Sequence, residues 1–293
     1  MKNVIVGLGE ILWDVFPHGK VLGGAPANFV YHVSQFGYEG YAVSAIGNDH
    51  LGDEIIDSLK NKELNFMIER TPFPTGTVKV TLDVNGSPQY EIVEDVAWDN
   101  IPFTEEMEHL ARRTKTVCFG SLAQRHHVSR ETINAFLDFV SPEALIIFDI
   151  NLRQHFYSRE LIDESLSRCN VLKINDEELA TVAELFEWDF QNELEVCQQL
   201  LENYSLNIVV LTKGANGSYV ITPTETLFKK TPKIVVADTV GAGDSFTASF
   251  VAALLNGKSI NEAHNLAVEV SAFVCTQHGA MPLLPDSFLS MID

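Results

Sequence analysis

The chain is 293 residues long and 46% hydrophobic, enough for one large body carrying a smaller appendage. Its 40 acidic residues against 20 basic ones leave a net charge of −20, which argues against a nucleic-acid surface and against attachment to an anionic membrane. Four scattered cysteines (Cys118, Cys169, Cys197, Cys275) lack CxxC spacing, and no stretch reaches signal-peptide or membrane-span length, so the expectation is a reduced, cytoplasmic protein.

The first apolar run, "NVIVGLGEI", predicts a buried strand, and "APANFVYHVSQFG" follows with helical spacing and Gly37 as a stop. "YAVSAIG" reads as a strand and "LGDEIIDSLKNK" as a helix. "TVKVTLDVNGSPQYEIV" differs, because its residues alternate and Asn85-Gly86 marks a hairpin turn. "TVCFG", "ALIIFDI", "VLKIN" and "NIVVLTKG" then read as strands, with helical segments between successive runs. Two long helical patterns, roughly 242–256 and 260–277, close the chain.

Strands alternating with helices imply a three-layer α/β/α body with a mostly parallel central sheet. The hairpin implies a small β lid, with lid segments near 12–20 and 74–98 inserted in one domain spanning 1–293. An exposed lid edge invites pairing with a second copy, so a homodimer through the lid is an expectation.

In such sheets ligands gather beyond the carboxyl ends of the strands. "VIVGLGE" suggests a dinucleotide fingerprint, but Leu12 stands where its third glycine belongs, which argues against a nicotinamide-dependent dehydrogenase. "KVLGGAPANF" lets backbone approach a ligand at Gly24 and puts Asn28 on a first helical turn, in reach of hydroxyls. Asp149, Asn151 and Arg153 alternate at the end of "FDINLR" and would share one side if that strand continued. Asn175 and Glu178, three apart at a helix start, suit a cap, and a cap is compatible with ordering a metal-bound water. Thr212-Lys213-Gly214 precede a tight turn ending at Gly217, either an ordinary hairpin or a nucleotide-lining edge.

The most specific stretch is "DTVGAGDSF". No P-loop pattern (GxxxxGK[ST]) and no protein-kinase signature is present. Gly241, Ala242 and Gly243 nevertheless present successive N–H groups at a helix start, an anion hole for a moving phosphoryl group. Asp244 then reads as the base that accepts a proton from an attacking hydroxyl, kept ionised by the helix dipole.

"GGAPANF" and "DTVGAGDSF", in this order and separation, resemble the two signatures of the ribokinase-like (PfkB) carbohydrate kinases. "NDEE" and "LTKGANG" between them extend the resemblance over nearly the whole chain. The resemblance implies ATP-dependent phosphorylation of a sugar hydroxymethyl group under a β lid, with Asp244 as base and residues 241–243 as anion hole. It implies that Asp14, Gly24 and Asn28 hold sugar hydroxyls, and that Arg153 lies near the sugar or the phosphate. Asn175 and Glu178 match the motif that orders Mg2+ through its waters, and Thr212, Lys213, Gly214 and Gly217 fall in the ATP-lining segment. Asp238 matches a position that in several members helps bind K+, together with carbonyls near Val240, Val274 and Gly279. "GEILWDVFP" with "LGGAPANF" is similar to bacterial fructokinases, which implies D-fructose as substrate, phosphorylated at O6 or, in some relatives, at O1. 2-Keto-3-deoxygluconate competes, because Arg153 could pair with its carboxylate. A non-catalytic sugar or nucleotide sensor is the alternative outside enzymes.

Overall fold

The computed structural model describes residues 3–16, 19–82 and 88–292, so the predicted turn at Asn85-Gly86 and part of the first lid segment lie outside the described residues. In chain order the strands are β1 (Val4–Leu8), β2 (Leu12–Phe16), β3 (Gly19–Gly23), β4 (Glu39–Gly47), β5 (Asn65–Thr71), β6 (Gly76–Leu82), β7 (Pro88–Ile92) and β8 (Thr114–Phe119). They continue with β9 (Leu145–Asp149), β10 (Val171–Asn175), β11 (Ile208–Thr212), β12 (Ser218–Ile221) and β13 (Thr226–Lys229). The helices are α1 (Ala25–Gln35), α2 (His50–Asn61), α3 (Glu105–Arg113), α4 (His127–Phe139) and α5 (Arg159–Arg168). After them come α6 (Asp176–Leu185), α7 (Glu193–Asn203), α8 (Ala242–Leu255), α9 (Ile260–Cys275) and α10 (Asp286–Leu289).

Nine strands form the main sheet in the order β13-β12-β11-β10-β9-β8-β1-β4-β5. All its pairings are parallel except β11-β12, the hairpin read from "VVLTKGANGSYV", and β12-β13, which that reading did not include. Alternation along β1 shows why both faces are covered. Val4, Val6 and Leu8 join a core with residues of α3 to α7, whereas Ile5 joins a second core with α1, α2, α8 and α9. Apolar residues at every position of a short run thus mark a strand buried on both sides.

The lid is a separate four-stranded sheet in the order β3-β2-β6-β7. β2 leaves the carboxyl end of β1 almost directly, and β6 pairs with it in parallel. The neighbours of β1 in the sheet are β4 and β8, so connections leave it in both directions, the arrangement that opens a crevice at the carboxyl ends. No helix among the described residues is long and apolar enough to cross a membrane.

Candidate active site

α8 begins without a side-chain cap, and Gly241 at its N-cap holds a left-handed backbone, φ 77°. A side chain there would also meet Ala280 at 2.7 Å. Asp244 lies on the first turn, where backbone amides lack intrahelical acceptors. One of the three predicted donors is engaged differently: the Ala242 N–H is directed at the Thr239 carbonyl, 3.3 Å away, so the anion hole reads better on Gly241 and Gly243.

Asn28 does more than the sequence suggested. Its amide donates to Asp244 Oδ2 at 2.8 Å and so fixes the carboxylate from α1, 216 residues away in sequence. The Asn28 Oδ1 atom is buried without a partner among the described residues, leaving an acceptor for a ligand hydroxyl. Gly24 opens α1, its carbonyl accepting from the N–H groups of Ala27 and Asn28.

Asp244 remains largely ionised at pH 7, though its surroundings favour the acid form more than the helix start alone implies. Burial, then the Asp149 carboxylate, push its pKa up to about 6, against the Asn28 hydrogen bond and the cations Lys173 and Arg153. Glu10, which the sequence reading overlooked, is buried at the exit of β1. Burial pushes its carboxyl up to about 7; Oε1 accepts from the Ala25 N–H at 3.3 Å, while Oε2 has no partner among the described residues. Glu10, Asp149 and Asp244 line one cleft with Asn151, Gly120 and Phe29. Asp14 enters from lid strand β2, its carboxyl raised to about 6 by burial and held back by Arg153.

Arg153 acts on Glu10, Asp14 and Asp244, so the structure gathers these four groups. The conditional alternation of Asp149, Asn151 and Arg153 does not hold, because β9 stops at Asp149 and Asn151 turns into positive φ, 45°. Asp149 is instead held at the inner wall of the cleft, bonded to Lys173 Nζ at 3.0 Å and to the Thr247 hydroxyl at 3.2 Å.

Asn175 and Glu178 form the expected reciprocal cap of α6: Asn175 Oδ1 accepts from the Glu178 N–H and Glu178 Oε2 from the Asn175 N–H. Glu178 Oε1 accepts from the Leu152 N–H at 3.0 Å, tying the cap to the loop that carries Arg153. Burial raises the Glu178 carboxyl, opposed first by Lys173. Each oxygen takes one N–H and a carboxylate offers about four lone-pair sites, so room remains for a water, which fits an indirect magnesium role. Among the described residues no three His, Cys, Asp or Glu side chains group to hold an ion directly.

Thr212 ends β11; Lys213, Gly214 and Gly217 form the turn into β12, with Lys213 bonded to Glu193 at 2.5 Å. No described contact joins this segment to Asp244. Asp238 accepts from the N–H groups of Val240 (3.0 Å) and Gly279 (3.1 Å), clamping the loops before α8 and after α9, while the Val274 carbonyl accepts from the Gln277 N–H.

The pfkB family carbohydrate kinase model matches residues 14–287. The chain belongs to the pfkB carbohydrate kinases. Within this family it is similar to an ATP-dependent 6-phosphofructokinase from Thermoanaerobacterium thermosaccharolyticum, 27% identical over 97% of this chain and 92% of that one. A fructokinase from Salmonella typhimurium is 26% identical over 95% of each chain. Among solved structures, fructokinase with bound ATP from Xylella fastidiosa superposes with a TM-score of 0.83 at 23% identity, covering 100% of this chain and 98% of its own, a likeness of fold. The sequence reading singled out neither Glu10, which lies outside the matched residues, nor Lys173. Each left one signal: an acid directly after a strand-ending glycine, and a lysine inside the apolar run "VLKIN".

Proposed function

We propose that the protein transfers the γ-phosphoryl group of ATP to the 6-hydroxymethyl group of D-fructose. The carrying observation is the Asn28–Asp244 hydrogen bond at the start of α8, which orients a carboxylate beside glycine-lined amides. Asp244 takes the hydroxyl proton as the sugar oxygen bonds to the γ-phosphorus. The bond from that phosphorus to the bridging oxygen breaks, and ADP leaves with the electron pair. The Gly241 and Gly243 amides face the charge on the moving group. Magnesium brought in by the nucleotide would neutralise phosphate charge, its waters held by Asn175 and Glu178. A potassium ion beside Asp238 belongs to the same proposal.

Charge supports a neutral sugar. Glu10, Asp149 and Asp244 line the cleft and Asp14 adds a carboxyl from the lid, with Arg153 acting on Glu10, Asp14 and Asp244; carboxyls pair readily with hydroxyls but carboxylates repel an anionic sugar. Arg153 supports a second reading, since it offers a guanidinium to the carboxylate of 2-keto-3-deoxygluconate. ADP release measured with fructose, ribose, 2-keto-3-deoxygluconate and nucleosides separates them: the largest sugar-dependent rate is expected with fructose, and no sugar-dependent release would leave a sensor. Asp244→Asn is expected to fold and bind ATP while turnover drops about 10²–10⁴-fold. Near-normal turnover in that variant removes the base assignment.

A further inference from the structure

Lys173 is a lysine in the middle of a parallel strand, the place where an apolar residue is expected. Register explains its tolerance: β9 and β10 pair so that Lys173 lies directly beside Asp149, and its ammonium reaches Oδ1 at 3.0 Å. Burial disfavours that ammonium, and the carboxylates of Asp149, Glu178 and Asp244 around it favour it. The ammonium also presses on the catalytic turn. A methyl group added at Gly243 would lie 2.8 Å from Lys173 Nζ, which places the ammonium directly behind this residue of the turn. Asp149 completes the frame, because Thr247, one turn along α8, bonds both its carboxylate and the Gly243 carbonyl.

We propose that Lys173 is a positioning residue of the phosphoryl-transfer site, its ammonium held by Asp149 against the Gly243 backbone as a fixed positive charge behind the anion hole. This rests on the kinase reading above. The charge adds to the positive end of α8 where the γ-phosphoryl group would pass. It also opposes the groups that hinder ionisation of the base. Asp244 is faced by Glu10 from the end of β1, Asp149 from β9, Arg153 from the following loop, Asn28 from α1 and Cys118 from β8. Of these Arg153 and Asn28 favour the carboxylate, as Lys173 does, while Asp149 opposes it.

Three variants test the proposal: Lys173→Met, Lys173→Arg, and the double variant Lys173→Met with Asp149→Leu, which removes the buried pair together. The expected result is that Lys173→Met lowers kcat by about tenfold or more with little change in the sugar KM, and moves the acid limb of kcat/KM to higher pH. Lys173→Arg keeps the charge and retains most of the rate. The double variant restores thermal stability without restoring kcat, and it decides the question where Lys173→Met fails to fold. Recovery of kcat in the double variant, or wild-type kcat in folded Lys173→Met, would overturn the proposal by showing that the lysine only neutralises Asp149. ATP affinity is measured in parallel by equilibrium titration. A wild-type protein that binds ATP but phosphorylates no sugar sinks the kinase reading on its own, and unchanged ATP affinity and unchanged melting in Lys173→Met would then reject Lys173 as well.

Discussion

At the level of single residues, the site concentrates acid in a place that water barely reaches. Asp244 near 6 must lose its proton to act as base, so kcat/KM is expected to fall below about pH 6, measured as an acid limb that disappears in Asp244→Asn. Glu10 carries the opposite consequence for stability. Its pKa is about 7 when folded and 4.5 as the ordinary value, so the folded chain binds more protons than the unfolded one between those limits. Stability contributed by the protonated group is complete below about pH 4.5 and is lost as pH rises through about 7. Glu10→Gln keeps an acceptor for the Ala25 N–H and removes the buried charge. It is expected to raise stability at pH 8 by on the order of 1–3 kcal/mol and to flatten melting temperature against pH from about 4.5 to 7; an unchanged slope would contradict this. The residue scale also shows what sequence hides. Asp244 could be read from its glycine neighbours, but Asn28 as its partner could not, because that bond spans 216 residues. Lys173 stood out only as a lysine in an apolar run, and its role was hidden for the same reason: it lies in a strand register with Asp149.

Individual elements were legible where periodicity and punctuation agreed. α8 and α9 follow the helical patterns after the glycine turn and end near Asn256 and Thr276. β5, "NFMIERT", is an edge strand carrying Glu69 and Arg70, and its mixed pattern gave little to recognise. The root of the lid depends on an ion pair that no local pattern reveals. Arg125 meets Asp99 through two bonds, 2.7 and 2.8 Å, and donates to the Val93 carbonyl just beyond β7. Its guanidinium also stacks over Trp98, 4.0 Å from the ring centre. Both side chains are almost wholly buried, at 5% and 2% exposure, so truncation leaves Asp99 uncompensated. Arg125→Ala is expected to lose about 3–5 kcal/mol of stability in chemical unfolding. A loss below about 1 kcal/mol, the range of exposed pairs, would show that the pair does not anchor the lid.

The whole molecule joins two cores across one sheet, and the proposed chemistry sits where that sheet meets the lid. The proposed base, Asp244, comes from α8, its orienting amide from α1, Asp14 from the lid and Glu178 from the cap of α6. A net charge of −20 surrounds this cleft, so Lys173, Arg153 and the helix start supply the local positive field an incoming nucleotide needs. The most direct test is a crystal structure with D-fructose and a non-hydrolysable ATP analogue. The account predicts the terminal phosphate within hydrogen-bond reach of the Gly243 amide, and the sugar hydroxymethyl oxygen about 3 Å from the Asp244 carboxylate. A terminal phosphate bound away from the start of α8, or an Asp244 carboxylate turned from every sugar oxygen, would contradict it.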